Sequence, residues 1–113
     1  MNTIINVADT IQSPSALTQE QGDIIYALIC DAINHKEIVV LDFGTVESMI
    51  SPFLNNAIGK LYGTYSSKEI NDYLKLCNFP DAKKATLKIV TENAKKYYAN
   101  KAEFNATLKD VIG

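Results

Sequence analysis

Hydroxyls and carboxylates crowd one stretch of the sequence, LDFGTVESMISPFLNN (41–56), in which Asp42, Thr45, Glu47, Ser48 and Ser51 precede Asn55 and Asn56. An apolar run ends in Asp-Phe-Gly, and a new segment begins at Ser51-Pro52. Ser51 suits a helix N-cap, because its oxygen can accept a bond from a first-turn amide, and Pro52 lacks an amide that would otherwise be orphaned. The same position tolerates a phosphate, since about two negative charges would meet the positive end of a helix. Asp42 and Glu47 flank the loop at the carboxyl end of the apolar run, where α/β proteins often place functional groups. A strand-end aspartate is also a common turn former, and that structural role is the simpler reading.

Elsewhere the residues of chemistry are sparse, and no catalytic residue, cofactor or metal ligand is assigned. His35 is the only histidine. Its place at a helix end suits a cation complementing the dipole rather than the base of a triad. Gly59-Lys60 has Leu at position 54, where a phosphate loop would carry glycine, so no nucleotide motif is present. Cys30 and Cys77 stand alone among apolar neighbours, which suits small buried side chains rather than a bridge or a zinc site.

With 113 residues, 47% apolar and 21% charged, the chain fits one domain, 1–113, with 100–113 as a C-terminal helical extension. No run approaches the roughly 20 apolar residues that span a bilayer. The first residues, MNTIINVADT, lack the basic and long apolar segments of a secretory signal, so a cytoplasmic location is expected. Residues 1–57 carry seven acids and one lysine, whereas 58–113 carry six acids and ten lysines, with no arginine anywhere. Without arginine's planar fork, a nucleic-acid role resting on the lysines of the last third is the weaker alternative.

The elements that must position the 41–56 stretch follow from hydrophobic spacing. TIINV (3–7) reads as a strand, and Ser13-Pro14 as a turn or helix start. Thr18 and Gln21 form a capping box ahead of a helix whose apolar face is Ile25, Leu28, Ile29, Ala32 and Ile33. Gly22 costs helix stability, so it marks a close packing contact or a later helix start. The continuous run Ile38–Leu41 reads as a central strand covered on both faces. Strand, helix, strand at this spacing implies a right-handed crossover between parallel strands. A helix follows over 52–63, carrying Phe53, Leu54, Ala57, Ile58, Leu61 and Tyr62. Segment 66–69 loosens the chain, and YLKLCNF (73–79) makes a third strand. A lysine-rich helix starts at Pro80-Asp81 and runs to about Tyr98, with Ala82, Ala85, Ile89, Val90 and Tyr97 on its apolar face. A last helix near 102–112 carries Phe104, Leu108, Val111 and Ile112. The expected fold is a small α/β layer protein with a mainly parallel or mixed sheet of three to four strands packed by helices.

The block IVVLDFGTVESMISPFLNNAIGKLYG resembles the STAS-like proteins, a bacterial group related to STAS domains of anti-sigma-factor antagonists. The shared features are the strand closing in LDF, a short loop, and S-x-FLN-x-A-I-G-x-LY. TQEQGDIIYALICDAI upstream and EINDYLKLCNFPDAKKATLKIVTENAKKYY downstream extend the likeness over roughly 17–99. It implies a STAS-like fold and a non-enzymatic regulatory module in signalling. Such a module docks a histidine-kinase-like ATPase or another protein through loop 44–51 and helix 52–63. By position Ser51 resembles the serine that such a kinase phosphorylates in STAS domains, although Ile50 stands where those domains carry aspartate. The resemblance implies Ser51 as the candidate phosphorylation site, and Asp42, Thr45, Glu47, Ser48, Ser51, Asn55 and Asn56 as candidate partner-binding residues. An enzyme with an unrecognised site around Asp42, Glu47 and the serines is the remaining alternative.

Overall fold

A computed structural model describes residues 2–112, with the side chains of 2–99. Strand β1 (Asn2–Asn6) leads directly into a short helix α1 (Val7–Ile11), and β2 (Ser15–Ala16) precedes α2 (Gln19–Asn34). Then come β3 (Ile38–Asp42), β4 (Ser48–Met49), α3 (Ser51–Ala57) and a 3₁₀ turn at Gly59–Gly63. Helix α4 (Ser67–Tyr73), β5 (Leu74–Cys77), a 3₁₀ turn at Asp81–Lys83 and helix α5 (Lys84–Ile112) complete the chain.

The main sheet has three parallel strands in the order β1-β3-β5. Two successive crossovers step in the same direction, and right-handed connections then lie on one face. Burial follows from that winding. Val39 and Leu41 are fully buried against the helices, whereas Ile38 and Val40 are half-buried on the opposite face. Ile4, paired with Val40, is 73% exposed. The central strand is therefore covered on one face and only partly screened on the other, which corrects the expectation of two covered faces. A two-stranded parallel bridge, β2 with β4, stands apart from the main sheet. The result is a mixed α/β fold with a wholly parallel main sheet.

The core gathers Val7, Ile25, Ile29, Phe43, Phe53 and Leu61 between the sheet and helices α1 to α3. Burying each such side chain contributes about 1.5–3 kcal/mol. Helix α2 starts as its sequence predicts: Thr18 accepts from the Gln21 amide, and the Gln21 side chain accepts from the Thr18 amide. Gly22 is a packing contact, since a β-carbon there would meet the Phe53 carbonyl oxygen at 2.6 Å and Asn56 Cβ at 2.8 Å. Leu28, expected on the buried face, is 39% exposed.

Several elements differ from the sequence expectation. Val7 opens α1 rather than closing β1, because the Asn6 side chain caps the helix by accepting from the Asp9 amide at 3.0 Å. Segment 66–69 is a second capping box, Ser66 with Glu69, and it starts α4 instead of loosening the chain. The helix expected over 52–63 ends at Ala57 and tightens into a 3₁₀ turn. Helix α5 runs unbroken from Lys84 to Ile112, so the two helices expected at the C-terminus are one. Side chains Phe104, Leu108, Val111 and Ile112 lie outside the described residues. Helix α5 packs through Leu87, Val90 and Ala94 against the turn after α3, which leaves Ile89 58% and Tyr97 60% exposed. Of the expected apolar face Val90 is buried, whereas Ala82 and Ala85 are exposed along with Ile89 and Tyr97. Cys30 and Cys77 are free thiols and half-buried, less enclosed than expected. Among the described residues, no helix is long and apolar enough to cross a membrane.

Candidate functional site

The carboxyl ends of the three sheet strands bring Asn6, Asp42 and Cys77 into register. Asp42 Oδ1 accepts from the Gly44 amide at 2.8 Å and from Asn78 Nδ2 at 3.0 Å. Asn78 reaches it from a left-handed backbone position, φ 55°, which asparagine tolerates better than most residues. Those donors, Asn78 first and then the Gly44 amide, hold the Asp42 carboxyl below the usual carboxylate range. Burial, reinforced by the Asp42 charge, pushes the Cys77 thiol up, away from the thiolate a nucleophile requires. Asp42 is thereby a turn former that ties β3 to the residue after β5.

Thr45 is the next member. Its hydroxyl donates to Asn6 Oδ1 at 3.1 Å, the same oxygen that caps α1. Beside it opens a shallow 540 Å³ cleft bordered by Asp9, Gln12 and Ser13. From there the backbone turns away from the sheet. The Glu47 and Ser48 amides both donate to the Pro14 carbonyl, at 2.7 and 3.3 Å, and the Ile50 amide donates to Ala16 at 3.2 Å. Ser48 thus sits in a strand rather than a loop, opposite Ser15. Among the described residues the Glu47, Ser48 and Ser51 side chains make no hydrogen bond to the protein, and all three are exposed.

The bridge also decides where α3 begins. Pairing with β2 keeps Ile50 extended, at φ −129° and ψ 167°, so Ile50 occupies the N-cap without a side-chain acceptor. Ser51 is the first helical residue and not the cap, which corrects the sequence reading. A helix of seven residues also carries little of the macrodipole that was expected to favour a phosphate there. The register continuing past Ala16 and Met49 sets Leu17 and Ile50 at the same level, and each is 42% exposed. Neither was legible as a surface residue, because only the β2–β4 pairing brings them together.

Along α3 the two asparagines part company. Asn56 Nδ2 donates to Asp23 Oδ1 at 2.9 Å, and Lys60 Nζ reaches the same oxygen at 2.6 Å. These two donors, Lys60 first, hold the Asp23 carboxyl below its ordinary value. Asn56 therefore fastens α3 to α2, while Asn55 is exposed beside Asn93 and Tyr97 of α5. The structure leaves Glu47, Ser48, Ser51 and Asn55 exposed along the stretch that runs through β4 into α3, and it commits Asp42 and Asn56 to internal bonds. Among the described residues, no group of three histidine, cysteine, aspartate or glutamate side chains is arranged to hold a metal.

Residues 21–84 match the family model described as a STAS-like domain of unknown function. No curated protein and no solved structure matches the chain. The matched span runs from the first turn of α2 to the first residue of α5. It contains β3, loop 44–51 with β4, α3 and β5, whereas β2, Leu17 and Asn6, which pair with or stand beside that loop, precede it. Covering more than half of the chain, the match shows that this protein belongs to the family of STAS-like domains.

Proposed function

We propose that this chain is a non-enzymatic regulatory module of the STAS-like kind. It docks a signalling protein, in the first instance a histidine-kinase-like ATPase, through loop 44–51 and helix α3. The observation that carries this reading is the exposed pair Leu17 and Ile50, each 42% accessible, next to the exposed Ser51 hydroxyl. Exposed apolar side chains with the exposed Ser48 and Ser51 beside Ile50 in the chain have the make-up of a small interface, an apolar centre with a polar rim. A phosphate on Ser51 would add about two negative charges at that rim and so alter which partner fits. Asp42 and Asn56 serve the surface indirectly, by fixing the loop and the helix that display it.

The test is affinity capture from native cells with wild type, Ser51→Glu and Ile50→Asp, together with phosphopeptide mass spectrometry of the endogenous protein. Support is an ATPase-fold protein captured by wild type and lost with Ile50→Asp, and a phosphate found on Ser51. Identical proteins captured by all three forms would overturn the docking surface. Absence of any Ser51 phosphate under conditions that change partner binding would overturn the switch alone.

A further inference from the structure

A second surface lies along α5. Between α5 and the α4–β5 corner runs a groove of 440 Å³. Its floor is apolar, made by Ile58, Ile70, Leu74, Leu76 and Leu87. Ile58 and Ile70 are buried within it, while Leu74, Leu76 and Leu87 remain half-buried and accessible. One wall is different in kind. Lys84, Lys88 and Lys95 project from α5 along it, and no carboxylate lines the groove.

The spacing of those lysines is informative. At 100° per residue, positions i, i+4 and i+11 fall within about 40° of a single line, and they span about 16 Å of helix. The groove is therefore an apolar trough with one straight positive edge. Lys84 shares its charge with Asp81 at 2.7 Å. Lys95 lies over the Tyr62 ring at 5.5 Å, and among the described residues neither it nor Lys88 is ion-paired. A helical occupant about three turns long would match this edge. Its apolar stripe would rest on the leucines and isoleucines, and carboxylates at the same i, i+4, i+11 spacing would face the lysines. A long apolar groove that takes the apolar face of a helix is a recurrent recognition mode.

We infer that the α5 groove docks an acidic amphipathic helix of a partner protein. Charge complementarity selects the occupant, because a basic or neutral helix would leave the lysine row facing nothing or facing like charge. The surface does not depend on the loop 44–51 reading. It uses none of those residues, and Ser51→Glu leaves it unchanged.

The test uses the full chain and three fluorescent synthetic peptides, read by anisotropy at low and high salt. One carries an apolar stripe with glutamates at i, i+4 and i+11. The second replaces those glutamates with lysines. The third keeps the first peptide's composition but has a central proline that prevents helix formation. The expected result is saturable binding of the glutamate peptide only, weakened by salt. Lys88→Glu with Lys95→Glu should weaken it about tenfold or more, whereas Lys96→Glu, on an exposed residue outside the groove, should not. Equal binding of the glutamate and lysine peptides would overturn the inference, as would indifference to the double reversal. Equal binding of the proline peptide would replace a helix by an extended segment. Lysine-dependent binding of dodecanoate or of a generic DNA duplex, without the glutamate peptide, would assign the groove to another ligand class and sink the proposal.

Discussion

Gly22 in α2 lies so close to the Phe53 carbonyl of α3 that a β-carbon would sit 2.6 Å from that oxygen. The two helices bring their backbones together at this point, and the Asn56 bond to Asp23, the residue after Gly22, fastens them there. Ordinarily alanine would favour a helix over glycine by about 1 kcal/mol. Here the obstacle is backbone, which cannot rotate aside, and overpacking of this sort costs about 1–3 kcal/mol or more. Gly22→Ala should therefore lower stability despite its better propensity. Gly59→Ala is the internal control, since its nearest contact would be an ordinary 3.6 Å. Thermal melts of both variants should show a clear drop for position 22 and little change for position 59.

The helix starts offer a second discriminating set. Thr18 and Ser66 each accept an amide hydrogen bond at the head of a helix. Replacing either by alanine should cost about 1 kcal/mol. Ser51 caps nothing, so Ser51→Ala should change stability by less than about 0.5 kcal/mol. Denaturant midpoints for the three variants separate these outcomes. A Ser51→Ala loss as large as the other two would restore Ser51 as a cap.

Titration supplies a third prediction, with opposite signs at the two ends of the scale. His35 Nδ1 lies 2.7 Å from the Asp31 carbonyl, and this contact, with the Asp31 and Glu37 charges, raises its pKa. Its stabilisation is complete below the unfolded value of about 6.5. It is lost as pH rises through the higher folded value. Asp42 and Asp23 are depressed, so theirs is present above about 3.9 and lost as pH falls through the folded values. His35→Gln should flatten the neutral-to-alkaline limb of the stability profile. Asn78→Ala should raise the Asp42 pKa toward its ordinary value, as followed by carboxyl-carbon NMR. An unchanged Asp42 titration in that variant would remove Asn78 as the cause.

What was legible in the sequence was whatever local chemistry decides. Thr18 and Gln21 announce α2 by themselves, and the unbroken Ile38–Leu41 run announces the central strand. The partners of these elements are set at long range, and there the reading failed. Two residues of β2 carry no periodicity, yet their pairing with β4 moves the cap of α3 from Ser51 to Ile50. In α5 the spacing of apolar residues admits two stripes, and contact with the turn after α3 selects Leu87, Val90 and Ala94 over Ile89 and Tyr97. Ser66-Ser-Lys-Glu69 is a capping box that its polar composition disguised as a loop. At the junction, the exposure of Ser51 could be read from its neighbours, whereas the internal bonds of Asp42 and Asn56 depend on Asn78 and Asp23, more than thirty residues away.

The one-way winding of the sheet has a consequence for how the chain folds. Asn2 pairs with Ile38 and Val39 with Leu74, so each ladder of the main sheet joins residues 36 or 35 positions apart. No hairpin can form early and template the rest. Each ladder must close a long loop before any of its hydrogen bonds repays the lost chain entropy. β3 belongs to both ladders, so it is the strand whose placement must precede the sheet. Helices α2 and α4, which start at their own capping boxes and lie between the paired strands, are local structure that can hold it there while the other two strands arrive.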